Sequence, residues 1–106
     1  MITALVQFKV KAGTTREEVL TNMANVAPKF EGMPGLIRKN FLFDNDRGVG
    51  GGVYTWESRE AAEKVYIEGG PWRMAIQNLY GVDPEITIFD TPFIVDNELG
   101  EIKSAA

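Results

Sequence analysis

A chain of 106 residues with a net charge of −4, no cysteine and no histidine offers few routes to conventional catalysis. The length suits one domain with its own core, and the missing residue types exclude disulfides, thiolate nucleophiles, Ser-His-Asp sets and imidazole or thiolate metal sites. Eleven basic residues among fifteen acidic ones form no basic stripe, so we expect no nucleic-acid partner. No apolar run approaches the ~20 residues that span a bilayer, so we expect a soluble, cytoplasmic protein without a membrane partner.

The first half of the chain predicts a strand, a helix and a hairpin. Residues 2–10 alternate between apolar and polar side chains, as a half-buried strand requires. A helix is predicted from about residue 15 to residue 30, with a proline disturbing its last turn. Residues 36–43 and 49–56 form two strands joined by a cluster of turn residues. The second of these strands contains three consecutive glycines, which signal a bulge or the close approach of other atoms.

The second half of the chain predicts two helices and a further strand. Ser58 suits the cap of the second helix, residues 71–79 form a short third helix that starts at a proline, and residues 85–91 form the fourth strand. The order β-α-β-β-α-β is that of ferredoxin-like folds. We therefore predict a single α+β domain over residues 1–106, with an antiparallel sheet and with residues 96–106 as a flexible or partner-contacting tail.

Both faces of the predicted sheet carry apolar side chains. In residues 36–43 one parity contains Phe41 and Phe43, while the other contains Leu36 and Leu42. Helices cover only one face of such a sheet, so the second face is a large apolar patch of the kind that marks an interface. We expect a homodimer in which two sheets pack face to face, with additional helix cover or a higher oligomer as the alternatives.

Three short motifs carry a resemblance to a known family. They are the Met-Pro-Gly-Leu stretch at 33–36, the Gly-Gly-Val-Tyr stretch at 51–54 and the alanine-containing helix at 58–66. Together they resemble the YdhR-like monooxygenases of the dimeric α/β-barrel superfamily, which are relatives of the antibiotic-biosynthesis monooxygenases. The resemblance spans most of residues 2–95 and rests chiefly on structural motifs.

The resemblance implies a dimeric α/β barrel with a cleft between sheet and helices in each subunit. It also implies oxidation of a small phenolic or polycyclic aromatic molecule by oxygen, with no flavin, haem or metal, served by tryptophan, tyrosine, asparagine and arginine side chains. We accordingly expect no cofactor and no metal site. The haem-degrading branch is disfavoured because the chain has no histidine. Isomerases and stress-responsive proteins share the fold, which by itself does not choose among them.

The leading candidate site combines Arg38 and Asn40 with Tyr54 and Trp56. Each pair shares a parity on its strand, so the four side chains meet on one face if the two strands point the same way. Asn40, Tyr54 and Trp56 are then the candidate catalytic residues, and Arg38 is a candidate substrate-binding residue for a phenolate or carboxylate. The alternative is that the two aromatic residues belong to the core or the dimer face and that Arg38 is solvated.

A second candidate site lies around the glycine-rich turn before the third helix. Trp72 and Arg73 follow Gly69 and Gly70 at a helix start, and with Tyr66 they are candidate substrate-binding residues. An ordinary pair of helix caps is the alternative reading. Asp90, which is flanked by apolar residues in the fourth strand, is a candidate base or a partner for Arg38 or Lys39.

Three functions fit these residues. The first is a cofactor-independent monooxygenase that acts on a small aromatic compound. The second is a non-catalytic module that binds a small ligand or supports assembly. The third is a cofactor-free isomerase or lyase on the same scaffold. The sequence does not name the substrate.

Overall fold

The computed structural model of the protein describes residues 1–105. Its elements, in chain order, are β1 (Ile2–Lys9), α1 (Arg16–Val26), a 3₁₀ turn (Ala27–Phe30), β2 (Leu36–Asp44), β3 (Val49–Trp56), α2 (Arg59–Tyr66), α3 (Pro71–Tyr80), β4 (Glu85–Asp90), β5 (Phe93–Asp96) and β6 (Glu101–Ser104). β1 to β4 form an antiparallel sheet in the order β2-β3-β1-β4. The predicted ferredoxin-like β-α-β-β-α-β layout is confirmed.

The helices α1 and α2 begin at residues whose hydroxyl groups cap them. The Thr15 hydroxyl accepts a hydrogen bond from the Glu18 amide at the start of α1, and the Ser58 hydroxyl accepts one from the Ala61 amide at the start of α2, each at 3.2 Å. Pro28 follows α1 and lies in the 3₁₀ turn, because proline cannot continue the α-helical hydrogen bonding. In the described part of the chain, no helix has the length and apolar character needed to cross a membrane.

One face of the sheet packs on the helices and forms the core. Direct pairing places Ile2 opposite Trp56 and Ala4 opposite Tyr54, so these four side chains share a face. All four are buried, and they pack with the buried Ala62 and Tyr66 of α2. The opposite face, here called the outer face, carries Thr3, Leu5 and Gln7 of β1, Val53 and Thr55 of β3, Arg38, Asn40 and Leu42 of β2, and Thr87 and Phe89 of β4.

A bulge at the start of β2 changes the predicted side of one residue. Leu36 pairs with Trp56, but the next paired residue is Arg38, opposite Thr55. The extra residue, Ile37, moves Leu36 to the helix-covered face. The sequence analysis grouped Leu36 with Leu42 on one parity, and that grouping was wrong because strict alternation stops at a bulge.

The three glycines of β3 make room for their neighbours. An added Cβ would lie 3.1 Å from the Phe8 ring at Gly50, and 3.1 Å from the Tyr54 ring at Gly52. At Gly51, which has φ of +157°, an added Cβ would lie 1.8 Å from the backbone oxygen of Val6. The three glycines therefore lie where other protein atoms approach closely, which is one of the two alternatives that the sequence pattern predicted.

The chain ends in a separate two-stranded hairpin. β5 pairs with β6, and Phe93, Val95 and Ile102 share one of its faces. These three side chains are 66%, 67% and 75% exposed, so the hairpin presents an apolar face. The sequence analysis expected a loose or partner-contacting tail over residues 96–106, whereas the structure pairs part of it as β6. Ala106 lies outside the described residues.

The contact at Gly51 yields a test of the strand packing. We expect Gly51→Ala to lower the free energy of unfolding by about 3 kcal/mol, because the added methyl group forces β1 and β3 apart. Gly13→Ala is the control, since Gly13 has φ of +87° with open space around it and should cost only about 1–2 kcal/mol. Urea denaturation measures both values, and equal losses would contradict the assigned packing.

Candidate functional site

An apolar cavity of about 250 Å³ lies between the helix-covered face of the sheet and the helices α1 and α3. Its floor includes Val6 and Phe8 of β1 and Phe41 of β2. The helical side of its wall consists of Met23 and Val26 of α1, Phe30 of the 3₁₀ turn, and Pro71, Trp72, Ala75, Ile76, Leu79 and Tyr80 of α3. Few of the lining side chains carry a nitrogen or oxygen atom, and these are Lys29, Lys39, Tyr54, Trp72 and Tyr80. Such a lining suits a flat apolar molecule that carries a small number of polar groups.

A cluster of four aromatic side chains closes one end of this cavity. Tyr54 and Trp56 stack along β3, with ring centroids 6.1 Å apart and an interplanar angle of 2°. Tyr66 of α2 meets both rings edge-on, and its centroid lies 4.6 Å from that of Trp72. Edge-to-face and offset contacts of this kind stabilise aromatic clusters beyond simple burial. Tyr54 and Trp72 line the cavity, whereas Trp56 and Tyr66 lie behind them.

Two hydrogen bonds fix the phenol groups of the cluster. The indole Nε1 of Trp72 donates to the Tyr54 hydroxyl at 3.0 Å, and the indole Nε1 of Trp56 donates to the Tyr66 hydroxyl at 2.9 Å. Each phenol oxygen thus accepts from an indole and keeps its own proton to donate. Burial raises the pKa of both tyrosines well above their ordinary value, so both stay neutral at physiological pH.

Lys39 extends into the same cavity from β2. Its Nζ lies 3.6 Å from the ring centroid of Phe30, 3.9 Å from that of Phe41 and 4.7 Å from that of Tyr54. Burial lowers the pKa of Lys39 from its ordinary value of 10.5 to about 7. The ring faces attract the protonated form. The amine is therefore partly protonated and partly neutral near pH 7.

The predicted meeting of Arg38 and Asn40 with Tyr54 and Trp56 does not occur. Arg38 pairs with Thr55 and Asn40 pairs with Val53, so both project from the outer face. Tyr54 and Trp56 project from the other face, toward the helices. Arg38 and Asn40 share a face of β2, and Tyr54 and Trp56 share a face of β3, as predicted. The two pairs lie on opposite faces of the sheet because the register between β2 and β3 differs by one residue from the register that would align them.

Trp72 and Arg73 lie at the start of α3, beside the cavity, whereas Asp90 lies apart from it. Trp72 lines the cavity from the first turn of α3. Arg73 donates from Nε to the backbone oxygen of Tyr66 at 2.8 Å, which ties the start of α3 to the end of α2. Asp90 is exposed in β4, and β4 and β2 are opposite edges of the sheet, so an ion pair with Arg38 or Lys39 does not form.

Lys39 and the phenylalanines around it are the cavity residues that the sequence analysis missed. A signal was present, because Lys39 shares its parity with Phe41 and Phe43 in an otherwise apolar strand face. A lysine in such a position either extends to solvent or enters a pocket. Among residues 1–105, no group of three or more Asp or Glu side chains is arranged to hold a metal ion.

Comparisons with solved structures identify the fold. The chain is similar to a protein from Deinococcus radiodurans described as a "putative antibiotic biosynthesis monooxygenase", with a TM-score of 0.67, 12% identity, and 91% of this chain and 97% of that chain covered. It is also similar to the monooxygenase ActVA-Orf6 of Streptomyces coelicolor, in complex with nanaomycin D (TM-score 0.66, 17% identity, 89% of each chain covered). A third similar structure is that of a mutant of SnoaB, a cofactor-independent oxygenase from Streptomyces nogalater. Its TM-score is 0.61 at 19% identity, with 85% of this chain and 91% of that chain covered.

At these identities the likeness shows a shared fold, that of the antibiotic biosynthesis monooxygenases. A search of curated proteins found no match. Residues 5–106 match the family described as "Putative mono-oxygenase ydhR". The chain belongs to this family, which confirms the resemblance read from its three short motifs.

The half-buried Lys39, whose pKa is lowered by desolvation, predicts a pH-dependent stability. Between about pH 7 and pH 10 the unfolded chain carries a protonated Lys39 and the folded chain does not, so unfolding takes up a proton and stability rises with pH. At each pH, the free energy of unfolding of Lys39→Met is subtracted from that of the wild-type protein. We expect this difference to be about 2 kcal/mol larger at pH 9 than at pH 6.

The two tyrosines of the cavity do not reproduce this effect. Tyr54 and Tyr80 both line it. Burial raises the pKa of both tyrosines, so they titrate above this window. Lys9→Met, at an exposed site, is the charge-matched control and should leave the pH profile unchanged. Parallel profiles for wild type and Lys39→Met would contradict the burial of the amine.

Proposed function

We propose that the protein is a cofactor-independent monooxygenase that acts on a small aromatic or phenolic compound in the cavity beneath α1 and α3. The observation that carries this proposal is the cavity itself, whose walls are aromatic and apolar and whose lining includes Tyr54, a phenol that accepts a hydrogen bond from Trp72. Membership of the ydhR mono-oxygenase family supports the reaction class. The solved structures with the same fold include an oxygenase described as cofactor-independent and a monooxygenase in complex with a small ligand.

The proposed reaction needs no external reductant. An ionised phenol or enol is electron-rich, and its own electrons reduce oxygen. One oxygen atom then enters the substrate at a ring carbon that carried hydrogen, which becomes a carbonyl carbon as the phenol becomes a quinone. The other oxygen atom leaves as water with the hydrogen of that carbon and the phenolic proton. The task of the protein is to bind the substrate in a pocket that excludes water and to place hydrogen-bond donors where negative charge develops.

Tyr54 is the proposed catalytic residue of this reaction. Its hydroxyl accepts from Trp72 and is left with one proton to donate to a substrate or peroxide oxygen. Trp72 contacts the substrate and orients Tyr54. Trp56 and Tyr66 are positioning residues, because they support the stacked cluster from behind. Arg73 positions the start of α3 through the Tyr66 carbonyl. Arg38 and Asn40 project from the outer face and take no part in this proposed chemistry.

Oxygen uptake tests the proposed activity. With a panel of hydroquinones and polycyclic phenols, we expect the wild-type protein to consume oxygen and Tyr54→Phe to lower kcat by about 10²-fold, because the donor is lost while the ring remains. Thr55→Val is the control, since Thr55 lies on the same strand and on the other face. A bound compound recovered unaltered would favour the non-catalytic module, and turnover under nitrogen would favour an isomerase or lyase.

We also propose that the protein is a homodimer and that the outer face and the C-terminal hairpin form its interface. The outer face carries Leu5, Leu42, Val53 and Phe89, and the hairpin carries Phe93, Val95 and Ile102. Exposed apolar surface of this extent supports an interface between copies. The arrangement leaves the cavity of each copy on the opposite side of its sheet.

Sedimentation at micromolar concentration tests the dimer. We expect a dimer for the wild-type protein and at least a tenfold weaker association for Val95→Asp, because a charge on the apolar hairpin face must be desolvated in the interface. Ile67→Asp is the matched control, since Ile67 is similarly exposed, at 60% against 67% for Val95, but lies at the end of α2. A wild-type monomer would contradict the proposal.

A further inference from the structure

Lys39 has no acidic partner in the part of the chain that the structure describes. The ion pair within residues 1–105 joins Arg47 to Asp44 on the surface, and the cavity lining contains no Asp or Glu. The surroundings of the Lys39 amine are the rings of Phe30, Phe41 and Tyr54. Ring faces compensate a buried ammonium only in part, because their attraction is much weaker than that of a carboxylate at hydrogen-bond distance.

The space beside this amine is the cavity. Lys39 and Tyr54 both line it, and the stem of Lys39 and the ring of Tyr54 lie side by side above Gly52, within 3.3 Å and 3.1 Å of the position that a Cβ of that residue would take. A molecule in the cavity has the side chains of Lys39, Lys29, Tyr54 and Tyr80 as polar neighbours. All four can donate a hydrogen bond, and an amine gains a positive charge by taking up a proton. This polar surface is complementary to an oxygen that bears negative charge.

We propose that Lys39 binds an ionised oxygen of a flat aromatic ligand, so that the cavity selects acidic phenols and enols over neutral molecules of the same shape. This inference deepens the proposed function and rests on it for the place of binding, but it does not require that oxygen be consumed. A neutral amine accepts the proton of a phenol or takes one from solvent, and the resulting ammonium donates to the phenolate oxygen. The amine thereby favours the electron-rich form of the ligand.

Two ligands of matched shape test the proposal. The first is 2-hydroxy-1,4-naphthoquinone, which has an acidic enol, and the second is 2-methoxy-1,4-naphthoquinone, which has no ionisable proton. With oxygen excluded, we expect the wild-type protein to bind the hydroxy compound roughly 10- to 100-fold more tightly at pH 7, the range for a charge-assisted hydrogen bond in a desolvated site. Tryptophan fluorescence reports binding, because Trp72 lines the cavity.

Variants test whether Lys39 causes the preference for the hydroxy compound. Lys39→Met should abolish the preference for the hydroxy compound, whereas Lys39→Arg, which stays charged, should retain it. Lys9→Met is the control for net charge, since Lys9 is exposed at the end of β1 and does not line the cavity. Circular dichroism verifies that each variant is folded. If the preference disappears in Lys29→Met and persists in Lys39→Met, the assignment to Lys39 is wrong.

The pH profile supplies a second readout that a purely structural lysine would not give. Because burial lowers the pKa of Lys39 to about 7, the affinity of the wild-type protein for the ionised hydroxy compound should fall by up to tenfold per pH unit above pH 7. The affinity of Lys39→Arg should stay level over the same range. The other titratable groups that face the cavity are Lys29, Tyr54 and Tyr80, and burial keeps both tyrosines neutral there.

The outcomes separate this proposal from the proposed function. Equal affinity of the wild-type protein for the two compounds overturns the role of Lys39 and leaves the oxygenase proposal standing. Failure of the wild-type protein to bind either compound overturns the cavity as the site of an aromatic ligand, and both proposals fall. If the preference for the hydroxy compound depends on Lys39 but no phenol causes oxygen uptake, the result supports the recognition of acidic ligands by Lys39. It also contradicts the proposal that the protein is an oxygenase.

Discussion

The burial of Trp56 against α2 is the interaction on which the arrangement of the site depends. Its indole is fully buried on the helix side of the sheet, stacks on Tyr54 and donates a hydrogen bond to the Tyr66 hydroxyl. Because side chains alternate along a strand and paired residues share a face, this one packing arrangement orients the neighbouring strands as well. Through it, Lys39 and Phe41 face the helices, and Arg38 and Asn40 face away.

The cavity lies between side chains that the glycines of β3 help to accommodate. Gly50 and Gly52 lie on the same face as Trp56 and Tyr54, and the room they leave is taken by the rings of Phe8 and Tyr54 and by the stem of Lys39. Rings from α3, the 3₁₀ turn and β2 line the cavity beside them without filling it. The result is an aromatic-walled pocket with phenol and amine groups in its lining, which is a chemical environment that can bind an aromatic molecule and keep water from it.

The sequence was sufficient to predict the order of the elements from β1 to β4 and the cap at Ser58, because these depend on local chemistry. The glycine run predicted a bulge or a close approach, and the structure shows close approach. The site depends on long-range pairing, which local patterns do not determine. Both parities of β2 are apolar, so nothing within that strand says which side meets the helices. The offset between β2 and β3 separates Asn40 from Tyr54, and it is visible only when the two strands are paired. Lys39 was overlooked because a lysine in a strand is ordinarily solvated.

We propose that the ligand binds on the helix-covered side of the sheet and not on the outer face. A crystal structure of the protein with a bound hydroxynaphthoquinone distinguishes the two sides. We expect ligand density between the sheet and α3, with an oxygen within hydrogen-bond distance of the Tyr54 hydroxyl. Density on the outer face, in contact with Arg38 and Asn40, would show that this assignment is wrong.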